Sequence, residues 1–130
     1  MIFVDTCYLI ALMNDKAKKH QEALTLLNLI QNESTLINST VLVEMMNNLN
    51  KKRYESKRHD IIDLLYGMDN ICYLNEQDYE DSFKLWKQYD YSINYSDCTI
   101  VHTMQKYGVV NILSFDGDFD KINGINMIYL

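Results

Sequence analysis

Proline is absent from the 130 residues, glycine occurs four times and cysteine three times. Without proline, no cis-proline step can slow folding. The few glycines form no phosphate-cradling loop, no Walker motif and no GxGxxG, so chemistry driven by a bound nucleotide is not supported. Cys7, Cys72 and Cys98 are odd in number and contain no CxxC pair. That argues against a disulfide scaffold or a cysteine-rich zinc site and fits a reducing cytoplasm. Their expected role is that of small buried apolar residues. No apolar run approaches the ~20 residues of a membrane span, so no membrane association is expected. The apolar start, MIFVDTCYLIALM, lacks a basic leader and carries Asp5, so it reads as a first strand and helix rather than a signal peptide. Positive charge is also scarce. The 12 Lys and Arg face 18 Asp and Glu, a net charge of −6, which argues against a simple basic nucleic-acid binder.

What is present is ordinary globular material, 48% hydrophobic and 23% charged. The length suits one domain spanning 1–130 with one core. Short apolar runs at 2–4, 35–38, 71–74, 109–113 and 126–129 read as strands. Helical spacing covers 6–13, 16–33, about 40–52 (capped by Ser39 or Thr40), 55–67, 77–89 and 97–107 (capped by Ser96). Gly67 and Gly108 mark two helix ends. Residues 14–15 and 90–95 read as turn and loop, and Asp116-Gly117-Asp118 turns the chain into a short final helix. Alternating strands and helices imply an α/β fold with a mostly parallel central sheet of four to five strands, flanked by helices in three layers.

In such sheets ligands collect at the carboxyl ends of the strands, where strand order reverses. Two apolar strands here run directly into acid, Ile2-Phe3-Val4 into Asp5 and Ile112-Leu113-Ser114-Phe115 into Asp116. Glu44 and Asp97 enter helices that follow loops on that same edge. Each has an ordinary alternative: Asp5 and Asp97 suit helix N-termini, and Asp116 before Gly117 suits a turn. Glu44 has none. It stands five after Ser39 and four after Thr40, so it misses the capping-box position, and its neighbours Val41, Leu42, Val43, Met45 and Met46 are apolar. Carboxylates gathered within ~5 Å repel by roughly 3 kcal/mol per pair at an effective dielectric near 20. They must take up protons or bind a cation. An all-oxygen set selects Mg²⁺ or Mn²⁺, and a carboxylate-held Mg²⁺ suits phosphodiester hydrolysis.

Four segments carry a family resemblance: Val4-Asp5-Thr6-Cys7-Tyr8-Leu9-Ile10, Glu44 on an early helix, Tyr95-Ser96-Asp97-Cys98-Thr99-Ile100-Val101, and Leu113-Ser114-Phe115-Asp116-Gly117-Asp118-Phe119. In order and interval they resemble the PIN domain, and within it the VapC toxins of toxin–antitoxin pairs. The resemblance implies a Mg²⁺- or Mn²⁺-dependent endoribonuclease. It implies Asp5 and Asp97 as direct metal ligands, with Glu44 and Asp116 completing the shell or acting through water. Asp118 would join the metal site or cap the helix that follows. Thr6 and Ser114 would be supporting hydroxyls, Ser114 standing where the family commonly has threonine. The resemblance also implies an RNA substrate, a homodimer and a small silencing antitoxin.

Setting Asp5, Glu44, Asp97, Asp116 and Asp118 aside leaves 13 acids against 12 bases, so much of the negative excess belongs to the candidate site. Lys51, Lys52, Arg53, Lys57 and Arg58 lie just beyond the Glu44 helix and could hold RNA phosphates or simply form a solvated helix end. Tyr89, Tyr91 and Tyr95 could stack on unpaired bases or pack. His102 lies about 140° around its helix from Asp97. No histidine is assigned to the metal, and surface or partner roles are expected for all three. Met45, Met46 and Met104 read as core filler. The rival to the enzyme is a PIN-like scaffold that binds RNA or protein without cutting. A haloacid-dehalogenase phosphatase would need an acid where Cys7 stands, and a receiver domain would need a lysine in 109–115, which has none.

Overall fold

The computed structural model describes residues 1–128, the side chain of Leu29 excepted. Five strands, β1 (Ile2–Val4), β2 (Thr35–Asn38), β3 (Asn70–Cys72), β4 (Asn111–Leu113) and β5 (Asn126–Ile128), form one sheet in the order β3-β2-β1-β4-β5. All four pairings are parallel, with Val4 opposite Leu113 in the central β1–β4 pair. The connections carry helices α1 (Thr6–Met13), α2 (His20–Ile30), α3 (Ser39–Leu49), α4 (Arg58–Tyr66), α5 (Glu76–Gln88) and α6 (Tyr95–Tyr107), plus 3₁₀ turns at Lys52–Tyr54 and Gly117–Lys121. The chain steps outward from β1 to β2 to β3, then returns through α5 and α6 to place β4 on the other side of β1. Strand order therefore reverses between β1 and β4, which puts Asp5 and Asp116 at the mouth of the switch-point crevice.

The strands form where the sequence is apolar on both faces, as a covered parallel sheet requires. Phe3, Val4, Leu36, Ile37, Ile112 and Leu113 expose no surface. Helical stripes close over them: Ala23 and Leu26 from α2, Val41, Met45 and Leu49 from α3, and Ile100, Val101 and Met104 from α6. Among the described residues, no helix is long and apolar enough to cross a membrane.

Several boundaries differ from the sequence pattern, each for a local reason. The helix expected from residue 16 begins at His20 and ends at Ile30. Before it, Asn14 Oδ1 accepts the Lys16 N–H (3.1 Å), and Ala17 and His20 make short-range turn bonds that hold residues 14–19 out of the helix. The helix expected to reach about 52 stops at Leu49. Neither Ser39 nor Thr40 caps it. Ser39 Oγ instead accepts the Leu74 N–H (3.0 Å), bracing the loop after β3, and Asn38 supplies the cap. β3 ends at Cys72 rather than 74, and α6 begins at Tyr95, before Ser96. Position 129 of the expected last strand lies outside the described residues. Gly108 closes α6 in the left-handed region at φ 67°.

Asn38 holds the two site-bearing helices together. It exposes no surface, and its Oδ1 accepts the Val41 N–H at 3.2 Å. Its Nδ2 donates to the Thr99 carbonyl (3.3 Å) and to Thr103 Oγ1 (3.0 Å). The Thr40 and Thr99 hydroxyls meet at 2.7 Å. The end of β2 thus caps α3 and clamps α6 in one step. Asn38→Ala is expected to lose the cap (about 1 kcal/mol) and strand buried partners (about 1–3 kcal/mol), for a total of about 2–4 kcal/mol in urea denaturation. A loss below about 0.5 kcal/mol would show that the clamp adds nothing to stability.

Candidate active site

Asp5 follows β1 directly and caps α1, its Oδ1 accepting the Thr6 N–H at 2.8 Å. Its backbone N–H reaches the Leu113 carbonyl (3.1 Å), so the parallel register carries on past the strand end and sets Asp5 beside Ser114. Ser114 Oγ–H donates to Asp5 Oδ2 at 2.7 Å, and the Cys7 thiol donates to the same oxygen at 3.1 Å. Ser114 Oγ also accepts the Asp116 N–H (3.0 Å), while Cys7 Sγ accepts the Phe115 N–H (3.2 Å) and touches Ser114 Oγ (3.2 Å). This ring of bonds ties the end of β1, the start of α1 and the loop after β4 into one unit. Asp116 then caps the closing 3₁₀ turn, its Oδ1 accepting the Asp118 N–H at 3.0 Å.

Asp97 enters from α6. It lies in the first helical turn, only 7% exposed, and one oxygen each from Asp97, Asp116 and Asp118 lie within 4.8 Å of one another. Asp97 Oδ2 is buried and has no hydrogen-bond partner. Burial, then the charges of Asp116 and Asp5 and, more weakly, Glu44, push the Asp97 carboxyl up to about 8. Burial also raises Asp5. The Ser114, Cys7 and Thr6 donors pull it back, and the Asp116 charge adds to the rise. Glu44, half-buried on α3, is raised by burial and by the Asp5 charge, with Thr6 opposing. Thr6 Oγ1 lies toward Glu44 but is buried without a well-formed hydrogen bond. The four strand-end and helix acids therefore feel one another across the crevice.

This arrangement fits a divalent cation. A buried, unpartnered carboxylate oxygen beside two further carboxylates is costly alone: at 4.8 Å each pair repels by about 3 kcal/mol at an effective dielectric near 20. All-oxygen donors favour Mg²⁺ or Mn²⁺. Among the described residues, Asp97, Asp116 and Asp118 are the donor set whose oxygens all meet within 4.8 Å. Asp5 Oδ2 is already occupied by Ser114 and Cys7. Asp116, not Asp118, caps the turn, and Asp118 is also paired with Lys121 Nζ at 3.0 Å.

The basic run begins past the end of α3, the helix that carries Glu44. Glu44 and Leu49 are five residues, or about 7.5 Å of helix rise, apart, and the bases begin beyond Leu49. Arg58 Nε donates to the Leu49 carbonyl (3.0 Å), and Lys51 Nζ donates to Asn48 Oδ1 (3.2 Å), so both finish α3. Arg53 and Lys57 line a groove of about 270 Å³ with Asp15 and Lys16, while Lys52 is exposed.

Cys7 departs from the apolar role expected of it: it is half-buried and hydrogen-bonded to the site. Burial, reinforced by the Asp5 charge, pushes its thiol up to about 12, which keeps it a neutral donor. The signal was its position two residues after Asp5, in the first turn of a helix that Asp5 caps. His102 and His20 are half-buried and hydrogen-bonded rather than free surface groups. His102 Nε2 lies 2.8 Å from Asp78 Oδ1, and His20 Nδ1 lies 2.8 Å from the Ala11 carbonyl. Tyr91 and Tyr95 pack edge-on against Trp86, at 4.8 and 5.5 Å between ring centroids.

The PIN domain family model matches residues 2–125. The chain belongs to the PIN domain family. No curated protein matches its sequence. Among solved structures, VapC20 of Mycobacterium tuberculosis, a toxin that cleaves the sarcin-ricin loop, is similar at TM-score 0.86 and 22% identity over 100% of both chains. A toxin–antitoxin complex from Klebsiella pneumoniae is similar at TM-score 0.76 and 22% identity, covering 97% of this chain and 96% of that one. VapBC2 from Rickettsia felis, bound to a DNA fragment from its promoter, is similar at TM-score 0.72 and 16% identity over 99% of both chains. At these identities the likeness is one of fold, and it matches the five-stranded parallel sheet of this PIN domain.

Between its ordinary value of 3.8 and about 8, Asp97 holds its proton in the folded PIN domain and loses it on unfolding. The unfolded state then binds fewer protons, so this group's contribution to stability falls as pH rises through that window. Metal-free protein in EDTA is expected to be more stable at pH 5.5 than at pH 8. Asp97→Asn should flatten that slope and gain about 1–3 kcal/mol at pH 8 in urea denaturation. Mn²⁺ at about 100 times its Kd should stabilise the wild type by about 2.7 kcal/mol, and Asp97→Asn far less. An identical response from both proteins would remove Asp97 from the cation site.

Proposed function

We propose that the protein is a metal-dependent endoribonuclease of the VapC toxin type, a single PIN domain over 1–130 that works in the cytoplasm. The observation that carries this reading is the convergence of Asp97, Asp116 and Asp118, with Asp5 and Glu44 electrostatically coupled to them, around a buried Asp97 oxygen that lacks a partner. The fold's resemblance to VapC20 supports the same direction.

In this reading Asp97 and Asp116 hold Mg²⁺ or Mn²⁺, with Asp118 and the free lone pairs of Asp5 completing or bracing the set. The chemistry such a cation supplies when bound is a water of lowered pKa and neutralisation of charge on the phosphate. The protein's own part is positional. Ser114 and Cys7 fix the Asp5 carboxylate, so it need not reorganise during the reaction. Glu44, whose proton affinity is raised by burial, takes the proton of the attacking water. The water oxygen bonds to phosphorus as the bond to the leaving sugar oxygen breaks, and that oxygen is protonated from solvent. Lys52, Arg53 and Lys57 contact RNA phosphates at a distance from the cut, with Lys51 and Arg58 engaged mainly in closing α3. The Klebsiella complex and the Rickettsia VapBC2 assembly support a small cognate antitoxin as partner, and we extend the reading to a homodimer.

Purified protein should cleave single-stranded RNA with Mg²⁺ or Mn²⁺ and stop in EDTA. Asp97→Asn should slow cleavage beyond the ~10–100-fold typical of outer-shell changes at metal sites. Equal cleavage by purified Asp97→Asn would point to a contaminating nuclease. Metal binding without any cleavage would favour the scaffold. Replacing Lys52 and Lys57 by Ala should raise KM and flatten its dependence on salt. An unchanged salt dependence would take these lysines off the RNA path.

A further inference from the structure

Phe115 and Gly117, the residues on either side of Asp116, also wall a pocket of about 250 Å³. Ser114, Lys19 just before α2, Glu22 of α2, Asp120 from the closing 3₁₀ turn and Met127 of β5 complete it. The volume falls below the ~300–1,000 Å³ of sites for drug-sized molecules and suits one flat heterocycle. Phe115 is held from behind by fully buried Tyr8, with ring centroids 6.0 Å apart. Lys19 Nζ lies 5.9 Å from the Phe115 centroid and 3.3 Å from Glu22 Oε1. Lys19 and Glu22 thus form an ion pair whose ammonium lies over the Phe115 ring, and a base that stacks on this ring displaces Lys19 sideways and takes up its donor and the Glu22 acceptor at the base edge. A second carboxylate, Asp120, is exposed and makes no ion pair among the described residues.

We propose that this pocket is a subsite for an unpaired guanine in the nucleotide next to the scissile phosphate. The proposal rests on the nuclease reading and deepens it by naming the base. Single-stranded RNA is recognised by splaying a base out, stacking it on an aromatic ring and hydrogen-bonding its edges. Carboxylates only accept, so they require N–H donors on the base. Guanine presents its N1–H and its N2 amino group on adjacent positions, with the O6 acceptor beside them for Lys19. Adenine and cytosine each bring one amino donor to that edge, and uracil one ring N–H. Guanine alone fills two carboxylates and one ammonium together. Because Phe115 and Gly117 adjoin Asp116, a base seated here places its own phosphate near the acidic cluster.

The test uses 5′-labelled uridine octamers carrying one central guanosine, one central adenosine or neither. Their binding to the Asp97→Asn protein is read by fluorescence anisotropy. The guanosine octamer is expected to bind at least about fivefold more tightly than the others. Combining Glu22→Ala with Asp120→Ala should reduce that preference below twofold. Phe115→Leu should weaken guanosine binding, and Phe115→Tyr should restore it, which separates stacking from folding. Equal affinity for all octamers, or a preference that survives loss of both carboxylates, overturns the subsite. The two readings fail separately: metal-dependent cleavage with no base preference removes the subsite and keeps the nuclease. Guanosine-selective binding with no cleavage keeps the base pocket and removes the nuclease.

Discussion

Repulsion among carboxylates, forced together where β1 and β4 end, is the constraint on which the rest of this molecule turns. Asp5 and Asp116 are brought close by the parallel register of the two central strands, and α6 brings Asp97 within reach of Asp116 and Asp118. Among the described residues, no arginine or lysine pairs with Asp5, Asp97 or Asp116, and Lys121 pairs with the outer acid, Asp118. Burial then raises the cost of the Asp5 and Asp97 charges. Such an arrangement lowers the stability of the metal-free fold. It persists because the surrounding packing over-determines it, the usual condition of strained functional sites.

Two hydrogen-bonded units supply that over-determination. One is the ring of Asp5, Cys7, Ser114, Phe115 and Asp116, which locks the two strand ends and the first turn of α1. The other is Asn38, which caps α3 and grips α6 from the end of β2. Glu44 and Asp97 ride on those two helices, so the clamp sets their spacing. Both units are polar and deeply set, where a satisfied network specifies one geometry and a broken one is expensive.

Much of the order was legible along the chain. The apolar runs at 2–4, 35–38 and 109–113 read as strands, and each holds one, the last only over 111–113 because Val109 and Val110 lead into it from the helix end. Glu44 among apolar neighbours advertised a missing counter-charge. Legibility failed where a side chain chose a distant partner over a local one. Ser39 looked like a helix cap but serves Leu74, leaving the cap to Asn38. Cys7 looked like filler but joins Asp5 to the far loop. His102 looked like a surface group but pairs with Asp78 across two helices. Asn14 extended a turn through residue 19 by capturing the Lys16 N–H, a competition that helical spacing cannot register.

The sequence by itself determined the alternating strands and helices, the chemical type of each acid and its position at a strand end or helix start, because these follow from short-range periodicity and residue chemistry. Only the tertiary structure decided which oxygens meet: that Asp118 joins Asp97 and Asp116, that Asp5 is braced by Ser114 and Cys7, and that Asp97 keeps one oxygen unpaired. Those outcomes depend on strand order, register and helix docking. They are set by burial and contacts between residues as many as 109 positions apart, which no local pattern encodes.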